Sequence, residues 1–351
     1  MVLLLQVMLS RWMGASEVGV YVLAFSWCTL LAAISTLGLE STSLRIIGQA
    51  AGQNNPGVIW GFLRRSAQIV AATSLTVALI GAVVVLSGGE PPTGGEVAPF
   101  LWALAGVPVL SGISLLCVVA VAFQWFGLAH LPSEVFRPVS IFAMVALIWV
   151  VTNQLTASTV LLVQFMMLTA TLLILVATLA RRLPRQVATA SPEFETGTWM
   201  QIALPLLIIG LFGNYFPEIM LVLLGFHVPS DQVAIFNASY RLAMIVTFGL
   251  TAIDAVTSPV AARLYAARDI NELQSVVARA TKLGFWCSIA AVAGFATLGT
   301  SLLGLFGPEF VAGYDVMLIL LMAQLLRSAA GPVIPLLSVT GHQQQCLAVF
   351  G

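Results

Sequence analysis

Two arginines lie within stretches apolar enough to be hydrocarbon-embedded. Arg241 falls about nine residues into the apolar stretch 232–269, and Arg327 falls in the middle of the run 316–340. A guanidinium inside a bilayer is costly, about 3 kcal/mol on insertion scales, so it faces a counter-charge, water or an anion. Asn237 precedes Arg241 by one helical turn, and Gln324 precedes Arg327 in the same way. Arg241, Arg327, Asn237 and Gln324 are therefore the candidates for lining a polar cavity and meeting an anionic group, where charge-assisted hydrogen bonds are strong. Glu218, on the preceding helix, stands at a matching depth of roughly 13 Å, so a Glu218–Arg241 ion pair locking two helices is the competing reading. Asp254 is not the partner of Arg241, because thirteen residues put it roughly 20 Å further along the axis. Arg327 has no acid at its own depth in the same half of the chain. Gln164, Asn214 and Gln324 are amides within spans, where a helix–helix hydrogen bond is the plainer role.

Other chemistry finds no residues to carry it. There is no glycine-rich phosphate loop, nucleophile elbow or HExxH helix. His130, His227 and His342 sit far apart at loop positions and read as interfacial residues. Cys28, Cys117, Cys287 and Cys346 form no CxxC or Cys/His pair, which removes disulfide and zinc frameworks and leaves buried small hydrophobes. No catalytic residue, metal or cofactor is expected, and the chain does not read as an enzyme.

The elements that must position the two cations are membrane spans. Hydrophobic residues make up 60% of the chain and charged residues 8%, against about 25% charged in soluble domains. Mean hydropathy is +1.02. The formal net charge of zero argues against nucleic-acid binding. With about 20 apolar residues needed per crossing, spans fall near 18–39, 66–87, 99–128, 138–152, 159–180, 199–226, 233–259, 283–306 and 316–340. Residues 1–9 read as the tail of a preceding span, and the short 138–152 span is expected to start nearer Glu134.

With the N-terminus in the cytoplasm, alternate loops carry Arg45, Arg64, Arg65, Arg137, Arg181, Arg182, Arg185, Arg263, Arg268, Arg279 and Lys282. The opposite loops carry only Arg11, beside Glu17, Glu90, Glu96, Asp231, Glu309 and Asp315. That bias sets orientation and helix parity together. The polar, proline-containing stretch 183–198 reads as a cytoplasmic linker between an N-terminal lobe, 1–182, and a C-terminal lobe, 199–351. At an offset of 215 residues, Gly19-Val20-Tyr21 falls on Ala234-Ile235-Phe236 and Arg64 on Arg279, a parallel repeat as in transporters built from two like halves.

Several runs resemble a known family. Gly14-Ala-Ser-Glu-Val-Gly-Val-Tyr21 and Leu37-Gly38-Leu39 with Arg45 are similar to segments of polysaccharide flippases of the lipopolysaccharide O-antigen type. Ala203-Leu-Pro205, Asn237-Ala-Ser-Tyr-Arg241-Leu, Ser258-Pro259, Leu305-Phe-Gly-Pro-Glu-Phe310, Gly331-Pro-Val and Thr340-Gly-His342 follow in the family's order. The resemblance implies the multidrug/oligosaccharidyl-lipid/polysaccharide exporter architecture: an all-α polytopic membrane protein with two parallel-repeat helical lobes around a central cavity. Against the family's twelve or fourteen spans, about ten are present here, so the chain reads as truncated.

The resemblance also implies export of a polyprenyl-diphosphate-linked oligosaccharide across a bacterial inner membrane. The lipid bilayer, the lipid-linked substrate, and glycan polymerase and glycosyltransferases are the implied partners. Arg241 and Arg327 would neutralise the diphosphate. A cation-coupled multidrug antiporter on the same architecture is the alternative. It wants a carboxylate deep in one lobe, and the first lobe offers only Glu40, placed by the sequence at the membrane edge. A membrane-embedded glycosyltransferase or polymerase would need larger outer loops with paired acids.

Overall fold

The computed structural model describes residues 2–87 and 97–331, and the described residues are helical, with no strand among them. Glu90, Glu96, Pro332, Pro335, Thr340, His342 and Cys346 lie outside the described residues. The helices are α1 (Val2–Ser35), α2 (Leu39–Gly52), α3 (Pro56–Leu86), α4 (Val97–Ala122), α5 (Phe126–His130), α6 (Arg137–Thr152), α7 (Ala157–Arg182), α8 (Arg185–Ala188), α9 (Thr196–Asn214), α10 (Phe216–Gly225), α11 (Ser230–Ala266), α12 (Ile270–Gly304) and α13 (Tyr314–Ala330). Nine helical stretches among these residues are long and apolar enough to cross a membrane, one for each full span drawn from the sequence.

The differences from the drawn spans are local. The first long stretch, Leu3–Ser35, contains the residual first span and the next one, separated at Gly14, whose φ of 79° and ψ of 168° are not helical. The fourth runs Phe126–Thr152 through a π-helical segment, Leu131–Phe136, so the short span begins well before Glu134. The sixth crosses as two pieces, α9 and α10, broken at Tyr215.

Helix starts follow local chemistry. Asn55 caps α3, its side-chain oxygen accepting from the Gly57 and Val58 N–H groups, with Pro56 at the first helical position. Asp269 caps α12 by accepting from the Glu272 N–H at 3.1 Å. The start of α7 has two acceptors: Thr156 takes the Thr159 N–H, and Glu17 reaches across to the Ala157 N–H at 2.6 Å.

The residues fall into two compact bodies, Met1–Val233 and Ala234–Gly351. In the first, α4 packs against α1, α2, α3 and α7, and α9 and α10 pack on α2 and α1. Its core gathers Leu39, Ile47, Phe62, Val119, Trp199 and Ala203, with the Trp199 ring edge-on to Phe62 at 5.2 Å. In the second, α13 packs along α12, and a 3-10 corner, Pro308–Gly313, joins them.

The sequence run 305–310 proves to be that corner. Gly307 holds φ 149°, which turns the chain so that the Phe306 and Phe310 rings pack at a 39° tilt with centroids 5.8 Å apart, each 1% exposed. Outward faces carry long apolar side chains, such as Leu79, Ile80 and Val83 on α3 and Phe248 and Val256 on α11, as lipid contact requires. Cys28 is buried as expected, but Cys287 is exposed on α12, a thiol on an outward face instead of in the core.

Candidate functional site

The polar residues singled out by sequence fall into two groups, one per body. Asn237 and Arg241 are one turn apart on α11, with Asn237 4% exposed and Arg241 half-buried. On α13, Gln324 is half-buried and Arg327 is exposed. Glu218 begins α10, in the first body.

Gln324 is held by its neighbours in the second body. The Thr247 hydroxyl donates to its side-chain oxygen at 3.0 Å, and its amide donates to the Met244 sulfur at 3.4 Å. This is the plainer role expected of a membrane amide, a helix-to-helix hydrogen bond. It also sets the register of α11 against α13, with a consequence the sequence did not show. Asp254 lies two turns beyond Thr247, roughly 10 Å along α11, and Arg327 lies one turn beyond Gln324. Arg327 lies within Coulombic range of Asp254. Asp254 is thus an acid of the same half whose surroundings include the Arg327 charge.

Elsewhere in the second body, the Ser239 hydroxyl on α11 donates to the Gly313 carbonyl of the 3-10 corner at 2.9 Å, and between α13 and α12 the Tyr314 hydroxyl donates to the Ala296 carbonyl at 2.7 Å. A Cβ at Gly313 would run into Ser239 and Ile235, and one at Gly299 into Met317 and Tyr314. Glycines here allow the helices to approach closely.

The first body holds a cleft that sequence reasoning missed. Thr36, Leu37 and Gly38 form an elbow between α1 and α2, with Leu37 at φ 50° and Gly38 at φ 77°. Side-chain hydroxyls from α4 and α3 donate to carbonyls at the elbow. Ser111 donates to the Ala32 carbonyl at 3.1 Å, and Thr73 donates to the Ser35 carbonyl at 2.6 Å. Just past the elbow, Glu40 faces a cleft lined by Ala33, Ser41, Leu207, Gly210, Leu211 and Tyr215.

Tyr215 sits at the break between α9 and α10, its phenol in hydrogen-bonding reach of the Ser114 side chain and close to both Glu40 and Glu218. Glu40 belongs to α2, outside the nine spans, and burial pushes its carboxyl above the usual carboxylate range. The sequence showed Glu40 only as an acid just past an apolar run; packing sets it against the C-terminal half of α9. The available sequence signal was Gly38 itself, since a positive φ at a glycine two residues before an acid bends the helix and re-aims the acid.

No protein-family model matches the sequence, and no curated protein sequence is similar to it. Solved structures do resemble it. An inward-facing multidrug resistance MATE family transporter of the MOP superfamily superposes with a TM-score of 0.67 at 14% identity, covering 95% of this chain and 83% of that one. A MATE protein in complex with MaD5 gives 0.58 at 16% identity, with 96% and 78% covered. A MATE protein in the bent conformation gives 0.52 at 15% identity, with 94% and 82% covered. With the described residues all helical and nine helical stretches among them apolar and long enough to cross a membrane, the chain has a MATE-like transporter fold.

Proposed function

We propose that this chain works as a cation-coupled secondary transporter, exchanging protons for its substrate by alternating access, with Glu40 as the coupling carboxyl. The observation that carries the reading is the placement of Glu40 beyond the α1–α2 elbow, in an apolar cleft beside Tyr215. A carboxyl there is favoured neutral when the cleft is dry, and gains by ionising when water or a cation enters. That equilibrium is what proton coupling needs. The solved structures of this fold include a multidrug resistance transporter, which supports the same reading.

The test is ethidium efflux driven by a pH gradient in vesicles carrying the full protein. Wild type is expected to extrude the dye, and Glu40→Gln to lose at least about tenfold of the rate at equal folded protein. Absence of efflux in wild type, or unchanged efflux in Glu40→Gln, would overturn the proposal.

A second reading keeps the substrate suggested by the sequence runs, a polyprenyl-diphosphate-linked oligosaccharide moved across a bacterial inner membrane. Its support is the pair of cations on membrane helices, Arg241 with buried Asn237 one turn away and the exposed Arg327. It predicts that Arg241→Ala and Arg327→Ala abolish surface glycan while protein levels hold, and that dye efflux is absent throughout.

A further inference from the structure

The connector 183–198 reads from its composition as a loose linker, yet it is fastened to the first body at successive points. Val187 on α8 is buried against Ala50 and Ile59. The Glu193 N–H donates to the Gly57 carbonyl at 3.0 Å, and the Asn55 side-chain amide donates to the Glu193 carboxylate at 3.1 Å. The same Asn55 caps α3 with its oxygen, so one side chain both starts the helix and holds the connector.

The surface beneath is a glycine track. A Cβ at Gly57 would stand 2.8 Å from the Ser191 carbonyl oxygen, and one at Gly61 would run into the Glu193 backbone. Fastening continues into α9. Trp199 is 1% exposed against Phe62, and Gly38 admits the Ala203 carbonyl where a Cβ would stand. Close approach persists to Leu207, whose backbone nitrogen also crowds Gly38; beyond it Gly210 and Gly213 have open space where a Cβ would be, α9 ends at Asn214, and Pro217 lies in the first turn of α10.

We infer that the connector is a fixed strap which, with the N-terminal half of α9, stays fastened to α2 and α3, and that bending of this span is concentrated at Asn214–Pro217. A strap bound by backbone and side-chain hydrogen bonds over glycines gives little under load. A helix break with a proline, and with two glycines before it, gives readily. The inference supplies the alternating-access cycle proposed above with a joint, and rests on that reading for its purpose. Its test needs no transport.

The four cysteines of the full chain are replaced, and spin labels are placed in nanodiscs at two pairs of exposed sites. One pair, Thr189→Cys with Gln68→Cys, spans the strap and α3. The other, Leu204→Cys with Leu223→Cys, spans the break. The strap pair is expected to give one narrow distance distribution, unchanged between about pH 5 and about pH 8 and on adding ethidium, while the pair across the break broadens or splits. A split strap pair, or a break pair as narrow as the strap pair, would overturn the inference.

Gly61→Val is expected to broaden the strap pair and to speed tryptic cleavage after Arg185 about tenfold, since cleavage follows the open population. Gly61→Ala and Asn55→Ala are expected to act in the same direction more weakly. If none of the three changes either readout, the glycine track does not hold the strap and the inference fails.

Discussion

The Thr247 hydroxyl and the Gln324 side-chain oxygen meet at 3.0 Å and tie α11 to α13 in the second body. In lipid the hydrophobic effect does not drive two helices together, so this bond and side-chain packing set the register. Removing either partner, by Thr247→Val or Gln324→Leu, is expected to cost about 1 kcal/mol. A double-mutant cycle on thermal unfolding of the purified protein should return a coupling energy of about 0.5–1.5 kcal/mol. Additive single effects would mean the bond is not made in the membrane.

That register brings Asp254 into the field of Arg327. Arg327→Ala is expected to leave Asp254 in poorly compensated surroundings, and Asp254→Asn to leave the cation so. The double variant should therefore lose less stability than the sum of the singles, with a small coupling of about 0.2–1 kcal/mol because Arg327 is exposed and Asp254 only partly buried. Melting temperatures of the four proteins decide it.

Glu40 gives a pH signature whose sign follows from linkage. Burial raises its folded pKa, so between the ordinary glutamate value of about 4.3 and that raised value the folded protein binds more protons than the unfolded chain. Its contribution to stability is therefore present at low pH and lost as pH rises through that window. Glu40→Gln, which cannot ionise, should melt like wild type near pH 4 and above it near pH 8. Parallel melting curves at all pH values would mean that Glu40 ionises without cost in the cleft.

Gly38 has two independent reasons to be glycine: φ of 77°, and the Ala203 backbone carbonyl lying where a Cβ would stand. Gly38→Ala is expected to destabilise by at least about 2 kcal/mol and to lower the amount of folded protein. At Gly48, with nothing within 4 Å of a Cβ, the same substitution should be neutral or slightly stabilising.

Glu17 crosses from the start of the second span to accept the Ala157 N–H, joining two helix ends distant in sequence. Glu17→Ala should cost about 1 kcal/mol through loss of an N-terminal acceptor, with Glu17→Gln costing less. Thermal unfolding of the two variants measures it.

The sequence by itself determined the class and the spans. Apolar runs of membrane length are imposed by bilayer thickness and by the need of every backbone amide for a partner, so composition alone separates them. Caps such as Asn55 and Asp269 were equally local and equally legible. Arg241 and Arg327 stood out because charge in such runs is rare.

What only the tertiary structure decided depends on register and bending. The elbow at Thr36–Gly38 turns Glu40 toward α9, and a 215-residue offset hides it, because Thr251, Ala252 and Ile253 stand at the equivalent places in an unbroken α11. Asp254 reaches Arg327 only through the Thr247–Gln324 register. A polar, proline-containing connector becomes a strap only because Gly57 and Gly61, more than 120 residues earlier, leave room for its backbone. In each case the deciding interaction joins residues far apart in the chain, and periodicity and local propensity carry no record of which helix packs against which.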